Sequence, residues 1–264
     1  MHSNNVRCKL SSVDSNNVRW RRDMNTNGSR IDGIRVQDSG RSRFKVKLPE
    51  MEGVVARWYA QLRRSGSQLD TYRKQASQLT QGLPDGAEVL EVAPGPGYMA
   101  IEMARLGRVH VTGLDISRTF VQMAGDNARR AAVAVDFKHG DVAHMPFEAE
   151  SFDLIVCQAA FKNFTRPVIA LDEMHRVLRD GGVAVIQDMC RDVSHADIEH
   201  EVRLMELGRL NSFMTKATLE MLRRRAYSQA QFERLAAESN FQTCEIQTEG
   251  IGIEVRLRKR AGLA

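Results

Sequence analysis

The sequence predicts an α/β fold: a doubly wound, mostly parallel sheet with helices on both faces. Three observations carry that expectation. The apolar run 89–92 leads into Ala93-Pro94-Gly95-Pro96-Gly97 and then into an apolar helical stretch. A second apolar run, 109–114, ends in Asp115, eighteen residues past Gly97. Short apolar runs then alternate with helical patterns as far as residue 189. Strands that alternate with helices imply parallel pairing through crossovers, with the sheet covered on both sides.

Each element follows from local signals. Between residues 52 and 80, two helical stretches are expected to flank Ser65-Gly66-Ser67, with Leu69, Tyr72, Ala76 and Leu79 at helical spacing in the second. Pro84-Asp85-Gly86 is a turn. Strand 1 is expected at 88–92, a helix at 98–106 and strand 2 at 109–114. Ser117 caps a helix reaching residue 130, because its side chain can accept an otherwise unpaired helix N–H. Strand 3 follows at 133–138 and strand 4 at 152–157. The next helix, 167–178, starts on Pro167 and stops before Gly181-Gly182; a proline at the first turn and glycine past the end suit helix boundaries. His175 is expected on its polar face. Strand 5 spans 183–189.

Residues 191–227 interrupt this rhythm with one or two helices, read as a lid. Ile198, Val202 and Met205 form one stripe, followed by Phe213, Met214, Leu219, Met221 and Leu222, with the methionines expected to fill core. Ser228-Gln229-Ala230-Gln231 fits a capping box, opening a helix to residue 239. Strands near 242–248 and 251–258 close the domain.

Composition narrows the function. The chain has 264 residues and a formal net charge of +5. Residues 1–50 hold 11 Lys and Arg against 5 Asp and Glu, whereas the other 214 hold 27 against 28. The basic character therefore belongs to the first segment, which is poor in apolar residues and expected to be a disordered extension. Residues 51–264 form the folded domain, with 51–80 as a helical cap. A nucleic-acid partner is not expected from the overall charge. No apolar run approaches the roughly 20 residues of a membrane span. The cysteines, Cys8, Cys157, Cys190 and Cys244, are scattered without metal spacing, which suits reduced thiols in a cytoplasmic protein and no metal.

The glycine turn speaks of a nucleoside-containing cofactor. Gly95 and Gly97 let backbone approach a ligand, and an acid at the tip of strand 2 can accept from ribose hydroxyls. Gly95-x-Gly97-x-x-Ala100 also satisfies a dinucleotide fingerprint. Three features favour a different ligand. Glu91 stands where a pyrophosphate would lie, and would suit a cationic amino-acid group. Pro94 and Pro96 remove N–H donors that a phosphate cradle needs. Asp141, after strand 3, can accept from the adenine amine. Three acids at successive strand ends fit one elongated cationic ligand: S-adenosylmethionine.

On these residues the chain resembles the class I S-adenosylmethionine-dependent methyltransferases. Glu91-Val92-Ala93-Pro94-Gly95-Pro96-Gly97 resembles the family's acid-x-Gly-x-Gly-x-Gly loop, with Ala93 replacing the first glycine. Leu114-Asp115-Ile116-Ser117, Gly140-Asp141-Val142, Ser151-Phe152-Asp153-Leu154-Ile155-Val156-Cys157 and Arg176-Val177-Leu178-Arg179-Asp180-Gly181-Gly182 resemble its later motifs in order. The resemblance implies a Rossmann-like seven-stranded sheet with an antiparallel last strand. Residues 160–165, with Lys162 and Asn163, resemble the quinone-biosynthesis C-methyltransferases.

The residues expected at the cofactor are Tyr72, Glu91, Ala93, Gly95, Gly97, Asp115, Ile116, Asp141, Val142 and Gln158. No catalytic base is assigned, since methyl transfer from a sulfonium chiefly requires alignment. The expected acceptor is a small molecule, with Lys162 and Asn163 at the mouth of the site either orienting it or forming a solvated loop. His195 and Glu199, one turn apart, are expected at a solvated helix start. An NAD-dependent oxidoreductase and a non-catalytic module binding cofactor or nucleic acid are the alternatives.

Overall fold

The computed structural model of the protein describes residues 66–261 and residues 52, 53, 56, 57 and 60. The expected basic extension, and much of the segment leading to residue 65, lie outside the described residues.

Helix α1 (Gly66–Thr80) precedes β1 (Ala87–Val92), α2 (Tyr98–Arg105), β2 (Val109–Asp115), α3 (Arg118–Arg130) and β3 (Asp136–His139). After these come β4 (Phe152–Gln158), a short 3-10 turn (Phe161–Asn163), α4 (Pro167–Val177) and β5 (Leu178–Met189). Helices α5 (His195–Leu204), α6 (Arg209–Arg225) and α7 (Gln229–Glu238) lead to the hairpin β6 (Glu245–Glu249) and β7 (Gly252–Arg258). The sheet has seven strands in the order β3-β2-β1-β4-β5-β7-β6. Strands β1 to β5 pair in parallel, and β7 runs antiparallel between β5 and β6. The expected fold, including the antiparallel last strand, is the one found.

Alternation along the central strands sends successive side chains to opposite faces. Leu90, Val92, Ile155, Cys157, Ile186 and Val255 pack on one face with Leu171 and Met174 of α4 and Phe232 of α7. Val89, Val111, Val156 and Val185 pack on the other with Ala76 of α1 and Met99 and Met103 of α2. Burial on both sides explains why these strands read as unbroken apolar runs. Chain direction reverses its sideways progress between β1 and β4, so the strand ends there open a crevice, the usual ligand site of such sheets.

Four local expectations need correction. Strand β3 begins at Asp136, not 133, because residues 131–135 leave α3 through a turn with Ala132 at φ 55°. Strand β5 begins at Leu178, directly after α4, because Leu178 already pairs with Phe152 before the register shift to Leu154–Val183. His175 is half-buried and meets the Phe241 ring edge-on at 5.0 Å, and burial, followed by the charge of Lys259, lowers its pKa. The lid methionines are not core: α6 has no buried residue, and Met205, Met214 and Met221 are exposed with Phe213. Only Ile198 and Val202 of the expected stripe are buried. A helical period shows which residues share a face, not whether anything covers that face.

The capping boxes are formed. The Ser228 hydroxyl accepts from Gln231 N at 3.1 Å, and Ser228 N donates to the Gln231 side chain at 2.9 Å. Ser194 and Asp197 make the same exchange at α5. Ser228→Ala should lower unfolding free energy by about 1 kcal/mol, the usual worth of an N-cap, measured as a shift in urea midpoint.

Candidate active site

The loop after β1 is built from left-handed residues. Ala93, Gly95 and Gly97 have φ of 55°, 54° and 78°. Gly97 caps α2, and a Cβ there would stand 2.8 Å from both Ala124 Cβ and Phe137 Cζ, so glycine lets α3 and β3 close in. Gly95 has no atom within 4 Å of where a side chain would start. Ala93 carries a Cβ in a conformation that costs L-residues roughly 1–2 kcal/mol, and its N–H is fixed on Leu114 O at 2.8 Å.

Of residues 94–97, only Gly95 and Gly97 have an N–H, and both donate within the protein. Gly97 N donates to Pro94 O at 3.0 Å, and Gly95 N to Asp115 Oδ2 at 3.0 Å. The Asp115 carboxylate also accepts from Ser117 N, through Oδ1, at 2.8 Å. One buried carboxylate therefore joins the tip of β2, the glycine loop and the cap of α3. Burial raises the Asp115 pKa; the Ser117 and Gly95 N–H groups oppose that rise. Each carboxylate oxygen retains capacity for a further donor.

Glu91, four residues before Gly95, is 3% exposed, and its Oε2 has no hydrogen-bond partner among the described residues. Burial is the main force pushing its pKa up to about 8; Asp115 adds to the rise and the Ala100 N–H opposes it. Beyond the next strand, Asp141 accepts from Ala143 N at 2.9 Å and from Arg166 Nη2 at 3.2 Å. The Arg166 pair is half-exposed and so contributes little. Glu91, Asp115 and Asp141 stand at or just past the carboxyl ends of β1, β2 and β3, which are neighbours in the sheet.

The remaining expected residues lie around this edge. Tyr72 on α1 has its ring 6.2 Å from that of Tyr98, whose hydroxyl donates to Ala60 O at 3.2 Å. Ile116 is exposed, and its carbonyl is 3.0 Å from His139 Nε2. Val142 is half-buried against the core. Gln158 at the end of β4 donates to Gln187 Oε1 at 2.6 Å, and Gln187 donates to Glu254 Oε2 at 2.7 Å. This polar row crosses β4, β5 and β7 on the α1 side, with Gln75 Oε1 3.4 Å from Gln158 Nε2.

Two acids escaped the sequence reading, Glu52 and Asp188. Glu52 caps α3 from outside, accepting from Arg118 N at 2.9 Å, Thr119 N at 3.1 Å and the Thr119 hydroxyl. The Thr119 hydroxyl is the largest influence holding its carboxyl below the usual range. A partner 66 residues away leaves no local pattern. Lys162 is not solvated. It is 6% exposed, and its ammonium donates to Asp188 Oδ1 at 2.7 Å and Ala159 O at 2.5 Å. Asp188 was not singled out, since an acid inside an apolar strand gives no hint of a partner from the preceding crossover. The pair holds Ala159, with φ 54°, at the turn leaving β4. Asn163 Oδ1 accepts from Arg225 Nη2 at 3.2 Å, tying the end of α6 to this turn. His195 bridges α5 and α6 through Glu220, 2.5 Å from Nδ1. Among the described residues no cluster of His, Cys, Asp and Glu could hold a metal.

The sheet order, with a glycine loop after β1, is that of a Rossmann-like doubly wound fold. Residues 90–186 match the family described as a methyltransferase domain. Over that stretch the chain is similar to methyltransferase domains. Over 99 residues it is 35% identical to the demethylmenaquinone methyltransferase of Deinococcus radiodurans, covering 37% of this chain and 41% of that protein. Over 113 residues it is 32% identical to the 2-phytyl-1,4-naphtoquinone methyltransferase of Synechococcus elongatus, covering 41% of this chain and 48% of the relative. The chain thus spans under half the length of these relatives. A solved SAM-dependent methyltransferase from Aquifex aeolicus shares the fold at a TM-score of 0.58 and 15% identity, covering 77% of this chain and 98% of its own. The plantazolicin methyltransferase BpumL, solved with SAH, also has a TM-score of 0.58 at 15% identity, covering 78% and 89%.

Two outcomes test the local physics. Ala93→Gly should raise stability by about 1 kcal/mol by removing left-handed strain, read from chemical unfolding. Because the folded pKa of Glu91 lies above the ordinary carboxyl value of 4.5, the wild-type protein should lose stability as pH rises from there towards about 8. Glu91→Gln should flatten that loss, measured as urea midpoints at both ends of the window.

Proposed function

We propose that this protein is an S-adenosylmethionine-dependent methyltransferase acting on a small, quinone-type acceptor. The observation that carries the reading is the row Glu91, Asp115 and Asp141 on adjacent strand ends, beside a loop whose N–H groups are turned inward. A dinucleotide would meet a carboxyl and two prolines where its pyrophosphate needs donors. A cationic nucleoside would meet acceptors along its length. The orphaned, buried Oε2 of Glu91 fits such a ligand, because a neighbouring cation favours the ionised carboxylate.

When bound, the cofactor supplies an electrophilic methyl on a sulfonium. The chain's own residues hold, orient and exclude water. In this reading Asp115 accepts from the ribose, Asp141 from the adenine amine, and Gly95 and Gly97 admit the ligand close to backbone. Ala93, Ile116, Val142 and Gln158 line the same edge, and Tyr72 covers the methionine end. Lys162 and Asp188 act as positioning residues that fix the turn after β4 beside the acceptor. Residues 51–80 and 191–227 form the cap and lid of the domain.

The quinone-type acceptor rests on the relatives named above. A cytoplasmic location belongs to the same proposal, supported by Cys157 and Cys190, buried thiols whose pKa burial raises.

Calorimetric titration with S-adenosylhomocysteine and with NADH separates the readings; tight binding of NADH alone would defeat the proposal. Asp115→Ala should weaken S-adenosylhomocysteine binding by about 1–3 kcal/mol, the scale of lost charged hydrogen bonds. Mass spectrometry of unmethylated naphthoquinones incubated with enzyme and donor should show a product heavier by one methyl group.

A further inference from the structure

Helices α5 and α6 form a pair whose outer surface is apolar, and α6 is also basic. Leu204, Leu210, Phe213, Met214 and Met221 are 65%, 73%, 72%, 59% and 58% exposed. Monomeric proteins seldom leave such a cluster uncovered without a use for it. On a helical wheel of 3.6 residues per turn, Leu210, Met214 and Met221 lie within about 40° of one another, with Phe213 beside them. Leu219 and Leu222, on the opposite side of α6, pack against the core, so the apolar stripe faces outward. The basic character lies on α6, whose residues 209–225 contain five Lys and Arg and one Glu, whereas α5 carries Asp197, Glu199 and Glu201 against Arg203. Glu220 is engaged by His195 and Arg223, and Lys216 pairs with Glu199, while Arg209 and Arg224 are exposed.

We propose that this outer face of α5 and α6 docks on the surface of an anionic lipid bilayer, lying in the interface rather than crossing it. An interfacial helix combines large apolar side chains with flanking cations, and this surface has both. Charge decides among occupants. A second copy would bring two basic α6 surfaces together, and the chain's own first 50 residues, with 11 Lys and Arg against 5 acids, would be repelled by α6. A nucleic acid would answer the charge but leave the Leu and Met stripe in water. Anionic headgroups over an acyl boundary satisfy both. No helix among the described residues is long and apolar enough to cross a membrane, so the contact is peripheral. The Arg225 to Asn163 hydrogen bond sets the end of α6 beside the turn after β4. Docking would therefore bring that rim of the sheet towards the lipid. The inference needs neither donor nor acceptor and stands apart from the methyl-transfer reading.

The test is co-sedimentation of the full chain with phosphatidylcholine vesicles and with vesicles carrying about one-third phosphatidylglycerol. The wild type should bind the anionic vesicles, and less so in high salt. L210S/F213S/M214S should bind at least about tenfold more weakly at an unchanged thermal midpoint, since these side chains support no core. R209E/R224E should lose most of the preference for anionic lipid. Both variants keep the basic first segment, so equal binding by the triple variant would assign the effect to that segment and overturn the proposal. Absence of wild-type binding would overturn it too. So would a dimer, seen by light scattering, that the triple variant converts to monomer without any vesicle binding, or retention on RNA in place of vesicles.

Discussion

The site depends on one buried carboxylate. Asp115 accepts from Gly95 N and Ser117 N, and so pins three elements that leave the sheet in different directions. The Gly95 N–H whose hydrogen bond it accepts is one of only two in residues 94–97, because Pro94 and Pro96 offer none. The acid that can meet a ribose is also the acid that shapes the loop. In the proposed reading, ligand recognition and loop geometry are one constraint, and burial sets its strength by excluding competing water.

Around that anchor the two faces of the sheet carry polar groups of opposite character. On the α1 side, Gln158, Gln187 and Glu254 pair across strands, and Glu91 is left with an unmatched oxygen. On the α4 side, Lys162 and Asp188 form a buried ion pair whose other hydrogen bonds reach backbone. Such a pair does little for net stability, but removing one partner would strand the other charge. Its structural effect is specific: it holds Ala159 in a turn that no glycine makes easy.

The lid shows a different physics. Its inner residues, Ile198 and Val202, are core, whereas α6 rests on only half-buried Leu219 and Leu222. Ion pairs through His195, Glu199, Lys216 and Glu220 knit α5 to α6, leaving their outer apolar stripe without a partner among the described residues.

The sequence by itself determined the strand and helix alternation, the glycine turn, the two acids at strand tips and both helix caps. These are local: period, turn chemistry and capping act over a few residues. Tertiary structure alone decided where β3 and β5 begin, because pairing with a neighbour sets strand ends. It alone joined Glu52 to α3 and Lys162 to Asp188, partners 67 and 26 residues apart with no periodic relation. It alone showed that the methionines of α6 face water, since an amphipathic pattern names a face and only packing says what lies against it.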